Sequence, residues 1–252
     1  MLDMFKLDGK VAIVTGASRG LGQGIIVGLA KAGADIVGVG QSDMSETRKL
    51  VESTGKKFVE VKADLTKQDK LDDIIQVCKK EFGRVDILVN NAGTIRREDA
   101  INYTEKDWDD ILNLNLKTVF FLSQKVAKEF MKKKTGGKII NIASMLSFQG
   151  GIRVPAYTAS KSAIMGITKA LANEWAKYNI NVNAIAPGYM ATDNTKALRE
   201  DEKRSEEILS RIPAGRWGTK EDMAGAAVFL ASSASDYING HTLAVDGGWL
   251  AR

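Results

Sequence analysis

Short apolar runs alternate with helix-length amphipathic stretches along almost all of this 252-residue chain, and that alternation admits few folds. The run at 11–15, Val-Ala-Ile-Val-Thr, is rich in β-branched residues and stops at a glycine; residues 21–31 follow it with apolar positions at helical spacing. The pattern repeats. Strands are expected at 35–39, 58–61, 85–89, 138–142, 180–184 and 242–245, and helices at 45–53, 67–82, 156–178 and 220–231. Residues 105–134 read as one long helix or two abutting ones. The stretch 186–218 is looser, carries one helix over 200–211, and is expected to form a substrate loop or lid.

Apolar strands joined by crossovers of helical length call for a parallel sheet covered on both faces with right-handed connections. The expected architecture is therefore α/β: a doubly wound, Rossmann-type sheet of seven parallel strands, one domain over 1–252. Hydrophobic residues make up 44% of the chain, enough for a continuous core, and no Pro- or Gly/Ser-rich linker or internal repeat divides it. The net charge of +5 comes from basic residues interspersed with acidic ones, so no nucleic-acid partner is expected. Cys78 and His241 are the only residues of their types, which excludes an intramolecular disulfide, a cysteine metal cluster and a histidine-rich site; no metal is expected. With no signal-peptide pattern at the start and no run of about 18 apolar residues, the expectation is a soluble cytoplasmic protein with no membrane partner.

Three stretches carry chemistry. Thr15-Gly-Ala-Ser-Arg-Gly-Leu-Gly22 lies between the first strand and helix, where glycines let backbone NH groups approach a pyrophosphate; a tight turn alone would also use them. Asp64, after the third strand, can accept from an adenine amino group or cap the next helix. Asn90-Asn91-Ala92-Gly93 closes the fourth strand at the edge where open α/β sheets bind ligands, and its amides can equally fasten neighbouring loops. The third stretch sets Ser144 thirteen residues before Tyr157, and Lys161 four residues beyond the tyrosine on the same helix face. A nearby ammonium favours phenolate, so Lys161 is expected to lower the Tyr157 pKa towards use as a base, while Ser144 donates to a substrate oxygen that gains charge. A packed ring with a solvated tip is the alternative for the Tyr/Lys pair.

Together these features resemble the short-chain dehydrogenase/reductase family, from about Leu7 to the carboxyl terminus. The matching motifs are TGASRGLG at 15–22, NNAG at 90–93, Asn115 within Asn113-Leu-Asn-Leu116, Ser144, YTASK at 157–161 and Pro187-Gly188. The resemblance implies that Tyr157 is the general acid/base, that Ser144 positions the carbonyl, that Lys161 holds the nicotinamide ribose and tunes the tyrosine, and that Asn115 supports a water relay. It implies a cofactor cleft formed by Gly16, Ser18, Arg19, Gly20, Leu21, Gly22, Asp64, Leu65, Asn91, Ala92, Gly93, Pro187, Gly188, Met190 and Thr192, together with Tyr157 and Lys161. The activity implied is hydride transfer between a nicotinamide cofactor and a small molecule, with the cofactor doing the hydride chemistry.

Narrower runs, IRREDA at 95–100 and RIPAGRWG at 211–218 among them, resemble a branch of that family acting on sugar acids. A carboxylate substrate wants a fixed cation, and Arg96, Arg97 and Arg153 sit in the loops after the fourth and fifth strands; Arg153 is the first choice and Arg96 the second, each with pairing to Glu98 or Asp99 as its alternative. Ser144, Met145, Gln149 and Met190 are expected to line the pocket. The branch points to NAD, the expected cofactor. The lack of an acidic residue around Gly40-Gln41-Ser42, with Arg19 nearby, points towards NADP, which stays open. The tail Gly247-Gly-Trp-Leu250 resembles family tails that cross a subunit interface, so a homotetramer is expected. Rival readings are a reductase of another carbonyl or of an acyl thioester, and a noncatalytic dinucleotide-binding protein.

Overall fold

The structure, a computed structural model, describes residues 2–252. In chain order its main elements are β1 (Val11–Thr15), α1 (Gly20–Lys31), β2 (Asp35–Gly40), α2 (Ser45–Glu52), β3 (Phe58–Lys62), α3 (Lys70–Phe82), β4 (Ile87–Asn90), α4 (Glu105–Leu112), α5 (Thr118–Lys133), β5 (Gly137–Ile142), α6 (Pro155–Trp175), β6 (Ile180–Pro187), α7 (Lys196–Glu200), α8 (Glu202–Leu209), α9 (Asp222–Ala231) and β7 (Thr242–Val245). The strands form one seven-stranded sheet in the order β3-β2-β1-β4-β5-β6-β7, every pair parallel. Strand order reverses between β1 and β4, where Val14 pairs with Val89, so Thr15 and Asn90 end side by side at the carboxyl edge. A ligand crevice is built there.

Alternation along each strand sends successive side chains to opposite faces. Ala12 and Val14 of β1 join Ile36, Ile87 and Val89 against Ile25 and Leu29 of α1 and Met223 and Leu230 of α9. Val11 and Ile13 join Val37, Val39 and Leu88 on the other face, against Ile74 and Cys78 of α3 and Leu122, Val126 and Phe130 of α5. The central strands β1, β2 and β4 are buried on both faces, which is why they read as apolar runs, whereas the edge strands β3 and β7 are partly exposed. Each fully buried Leu or Ile contributes about 1.5–3 kcal/mol. The α1 and α9 helices meet closely because Gly28 has no side chain: a methyl there would lie 2.6 Å from the Ala224 Cβ.

Several boundaries differ from expectation for identifiable reasons. The helix expected at 67 starts at Lys70, because Asp64 ties Thr66 into a turn that Lys67 closes by donating to the Asp64 carbonyl. Residues 105–134 are two α-helices joined by a π-helical turn over Asn113–Lys117. The helix expected at 200–211 is α8, over Glu202–Leu209, and a separate short helix, α7, precedes it; the extended backbone of Asp201 ends α7, and its carboxylate caps α8 by accepting from the Arg204 NH. The tail packs within its own chain: Trp249 is buried against Met145, Ile208 and Ile212. Among the described residues no helix is long and apolar enough to cross a membrane.

Candidate active site

The glycine turn forms as the sequence requires. Gly16 and Gly20 have φ of +69° and +58°, a region that favours glycine, and a methyl on Gly22 would overlap the Gly16 carbonyl and come within 2.6 Å of the Asn91 Nδ2. From the β4 end, the backbone NH groups of Asn91 and Ala92 donate to the Thr15 hydroxyl at 3.0 and 2.9 Å, and the Asn91 amide donates to the carbonyls of Thr15 and Gly16. The amide of the NNAG motif therefore fastens the turn. Gly93, by contrast, leaves room: a methyl on it would sit 3.2 Å from the Asn115 Oδ1 and 3.7 Å from the Lys161 Nζ.

Ser144 follows β5 with extended backbone, its hydroxyl oxygen accepting from the Leu146 NH at 3.1 Å, which leaves the hydroxyl proton free to be donated elsewhere. Ser147 locks this turn to α6: it accepts from the Ser144 NH and donates to the Lys161 carbonyl at 2.6 Å. Pro155 starts α6 at a position that suits proline, and Tyr157 and Lys161 share a face one turn apart. The Lys161 Nζ lies 5.7 Å from the centre of the Tyr157 ring and donates to the Ile142 carbonyl at 2.6 Å. Asn115, buried in the π-helical turn, accepts from the Thr94 NH and donates to the Thr94 carbonyl, both at 2.9 Å.

Burial pushes the Tyr157 phenol above its ordinary value; the Ser144 hydroxyl, within hydrogen-bonding reach of it, and the Arg97 charge pull it back. Lys161 lies one turn along α6, its Nζ 5.7 Å from the ring centre. That lysine is itself buried without an acidic partner, and its pKa is pushed down to about 8. The ammonium sits at the end of β5, where the Ile142 carbonyl satisfies it, rather than at the phenol oxygen.

One cleft of about 310 Å³ joins these groups: Gly16, Ser18, Arg19, Gly20, Leu21 and Gly22 at one end, Asn91, Ala92 and Gly93 along the floor, and Ser144, Tyr157 and Lys161 at the other end. Pro187, Gly188, Met190 and Thr192 form its further wall with Asp193, Asn194 and Thr195. Asp64 and Leu65 do not line it: Asp64 accepts from the Thr66 hydroxyl at 2.7 Å, and Leu65 is buried in the core. Asn115 stands just behind the lining. A larger cavity, about 650 Å³, opens at the other end of the strands around Lys10 and the ion-paired Lys138 and Asp236, away from the serine, tyrosine and lysine.

The substrate arginines are rearranged. Arg153, the first choice, has φ +64° and pairs with Asp99 at 2.9 Å and Glu98 at 3.8 Å, off the cleft; Arg96 pairs with Asp107 at 3.7 Å. Arg153 pairs with the two acids given as its alternative, whereas Arg96 turns to Asp107 rather than to Glu98 or Asp99. Arg97 turns instead to the Asn194 carbonyl at 2.9 Å. No sequence signal separates Arg97 from its neighbour Arg96. Met145 is buried in a cluster with Ile208 and Trp249, and Gln149 accepts from the Trp249 indole NH at 3.3 Å; neither lines the cleft. Trp249 and Ser147 were not among the expected site residues, and only the fold brings them here.

The residues fit a dinucleotide: a glycine-rich turn opens towards the first turn of α1, and one continuous cleft leads from it to a serine, a tyrosine and a lysine. Where a ribose 2'-hydroxyl would seek an acid, Asp43 instead accepts from the hydroxyl and NH of Ser45 at the start of α2, while Arg19 stands exposed and pairs with Asp193 at 3.0 Å.

A family model described as "Enoyl-(Acyl carrier protein) reductase" matches residues 16–250. The chain belongs to the short-chain dehydrogenase/reductase family, and is a nicotinamide-dinucleotide-dependent oxidoreductase acting on CH–OH groups. It is 65% identical, over 252 residues and the full length of both chains, to the 2-dehydro-3-deoxy-D-gluconate 5-dehydrogenase of Dickeya dadantii. Among solved structures it is similar to an Agrobacterium tumefaciens protein with bound NADP (52% identity, TM-score 0.94, covering 99% of this chain and 100% of that one). It is also similar to a gluconate 5-dehydrogenase from Burkholderia cenocepacia in complex with NADP and tartrate (38% identity, TM-score 0.94, covering 100% of this chain and 99% of that one).

Proposed function

We propose that this chain interconverts 2-keto-3-deoxygluconate and its 5-keto form, or oxidises 2-deoxy-D-gluconate at C3, as a step of uronate and pectin breakdown. The observation that carries the catalytic part is the Ser144 hydroxyl within hydrogen-bonding reach of the Tyr157 phenol, with Lys161 one turn on, at the deep end of the glycine cleft. The full-length similarity to the Dickeya dadantii enzyme supports the substrate. Gluconate 5-dehydrogenase activity is the nearest alternative. A 3-oxoacyl carrier-protein reductase, which would want an apolar trough and a basic docking face, is the other enzyme alternative.

Gly16, Ser18, Gly20, Leu21 and Gly22 would hold the pyrophosphate, and Lys161 and the Pro187–Thr192 wall the nicotinamide end; Asp64 and Leu65, off the cleft, would meet an adenine that projects beyond it. NAD is the expected cofactor, with NADP accommodated at Arg19. A bound nicotinamide dinucleotide supplies or accepts the hydride. Ser144 donates its free proton to the substrate oxygen and so orients the reacting carbon. In the reducing direction the Tyr157 hydroxyl gives its proton to that oxygen; in the oxidising direction the phenolate takes one. A π-helical turn frees backbone carbonyls from the helical ladder, and Asn115, held by Thr94, fixes that turn where water can restore the tyrosine proton from solvent.

The segment 186–218, with α7 and α8, serves as a lid over the cleft. A homotetramer in the cytoplasm completes the proposal; supporting assembly is a groove on α4, α5 and α6 with partly exposed Leu116, Phe120, Phe121 and Ile167, whereas the tail is folded into its own chain. The test is a spectrophotometric panel of purified protein with 2-keto-3-deoxygluconate, gluconate and acetoacetyl thioester, each with NAD(H) and NADP(H). Highest kcat/KM for the first supports the reading, and no turnover of it overturns it.

A further inference from the structure

A chain of side chains runs from the end of the 186–218 segment to the glycine turn. Lys220, just before α9, donates from its Nζ to the Gln23 Oε1 at 2.5 Å, and the Gln23 Nε2 donates to the Thr47 hydroxyl at 3.0 Å. That hydroxyl donates to the Ala17 carbonyl at 2.9 Å, with the Ser18 carbonyl 3.3 Å away. Gln23, on α1, and Thr47, on α2, are both buried. The Lys220 backbone is pressed to the same helix as Gln23, since a methyl on Gly24 would overlap its carbonyl. We propose that Lys220 is a positioning residue for the dinucleotide, fixing through Gln23 and Thr47 which way the peptide groups of the glycine turn face. This rests on the reading that the glycine turn holds the pyrophosphate.

The direction of the chain follows from its donors. An ammonium has only protons to give, so Gln23 presents its oxygen to Lys220 and its NH2 to Thr47. Thr47 then accepts from Gln23, and its single proton is left for Ala17. In a trans peptide the carbonyl and the NH of the next residue point opposite ways, so holding the Ala17 and Ser18 carbonyls on Thr47 turns the NH groups of Ser18 and Arg19 away from it. Ser18 and Arg19 line the cleft, and among the described residues neither NH has a backbone acceptor. They are two free donors for an anion. Without the ammonium nothing obliges the Gln23 amide to keep its orientation: turned round, it takes the Thr47 proton, and the buried Ala17 carbonyl loses its partner. The peptide groups that face the pyrophosphate then lose their fixed direction. Since NAD and NADP share that pyrophosphate, both are affected alike.

The experiment is a double-mutant cycle on dinucleotide affinity, with Kd for NADH and NADPH read by fluorescence titration of the wild type, Lys220→Met, Thr47→Val and the double variant, and kcat read at saturating dinucleotide. Lys220→Met is expected to raise both Kd values about 5- to 20-fold while kcat stays within about 3-fold. If the lysine acts through Thr47, adding Lys220→Met to Thr47→Val changes Kd by less than about 2-fold, and in a Thr47→Ser background, which keeps the hydroxyl, the full factor returns. A direct attraction between the ammonium and the phosphates would persist without the Thr47 hydroxyl, so an equal factor in the Thr47→Val background overturns the proposal. So does a Lys220→Met variant whose Kd values stay within about 2-fold of wild type. Should Thr47→Val fail to fold, Gln23→Met serves as the background with the same two outcomes. Wild-type protein that binds neither dinucleotide overturns the reading of the glycine turn as well, before any variant is compared.

Discussion

The Lys161 ammonium donates to the Ile142 carbonyl at 2.6 Å, and this bond holds its charge at the end of β5 rather than at the Tyr157 oxygen. Burial without an acidic partner lowers the lysine pKa from 10.5 to about 8, a cost on the order of 3 kcal/mol near neutral pH. The folded value lies below the unfolded one, so the unfolded chain binds more protons between about pH 8 and about pH 10.5, and this residue's contribution to stability rises with pH across that window.

Lys161→Met is therefore expected to abolish most dehydrogenase activity while making the ligand-free protein more stable at pH 7, by about 1–3 kcal/mol. Urea unfolding at pH 7 and pH 10 checks this: the gain over wild type shrinks at the higher pH. A variant less stable than wild type at pH 7 would mean that the ammonium is better satisfied than the Ile142 bond alone provides.

Ser144 affects Tyr157 in two ways, by its reach to the phenol and by its donor proton. Ser144→Ala is expected to lower kcat by about 10²- to 10³-fold and to move the ascending, low-pH limb of the oxidation profile to higher pH, because a contact that lowers the phenol pKa is lost. The pH dependence of kcat/KM for oxidation measures it. A limb that moves downwards contradicts the assigned role.

Arg19 and Asp193 meet across the cleft mouth, both well exposed. If Arg19 serves a 2'-phosphate, Arg19→Ala weakens NADP(H) by roughly 10-fold or more and leaves NAD(H) within about 3-fold. Steady-state KM values for both dinucleotides decide it, and equal losses reject that role.

Trp249 ties three segments together. Its ring packs edge-on to Tyr189 with centroids 4.8 Å apart, the Arg211 guanidinium lies 4.0 Å above it, and its NH reaches Gln149 at 3.3 Å. Trp249→Ala is expected to cost about 3–5 kcal/mol and to open α7 and α8 to proteolysis, with Trp249→Phe intermediate. Urea midpoints and limited proteolysis followed by mass spectrometry report both effects.

Strand and helix order was legible because the central strands are buried on both faces and read as apolar runs, and the Ser144, Tyr157 and Lys161 cluster because two of its members lie one helical turn apart. Charge placement was not legible. Arg96 and Arg97 are adjacent, yet one turns to Asp107 and the other to Asn194; Arg153 has acids beside it that sequence spacing could propose but not choose between. The Lys161 hydrogen bond to Ile142 joins residues on α6 and at the end of β5, and only the folded crossover brings them together. For the same reason the packing of Trp249 was not legible, since its partners lie on α8 and after β5.

The claim on which the rest depends is that the Tyr157 phenol moves the proton, and the most direct test is Tyr157→Phe assayed with 2-keto-3-deoxygluconate alongside dinucleotide affinity by fluorescence titration. The account expects turnover to fall by about 10²-fold or more with dinucleotide affinity within a few-fold of wild type. Turnover within about 3-fold of wild type, with the cofactor still bound, would contradict it.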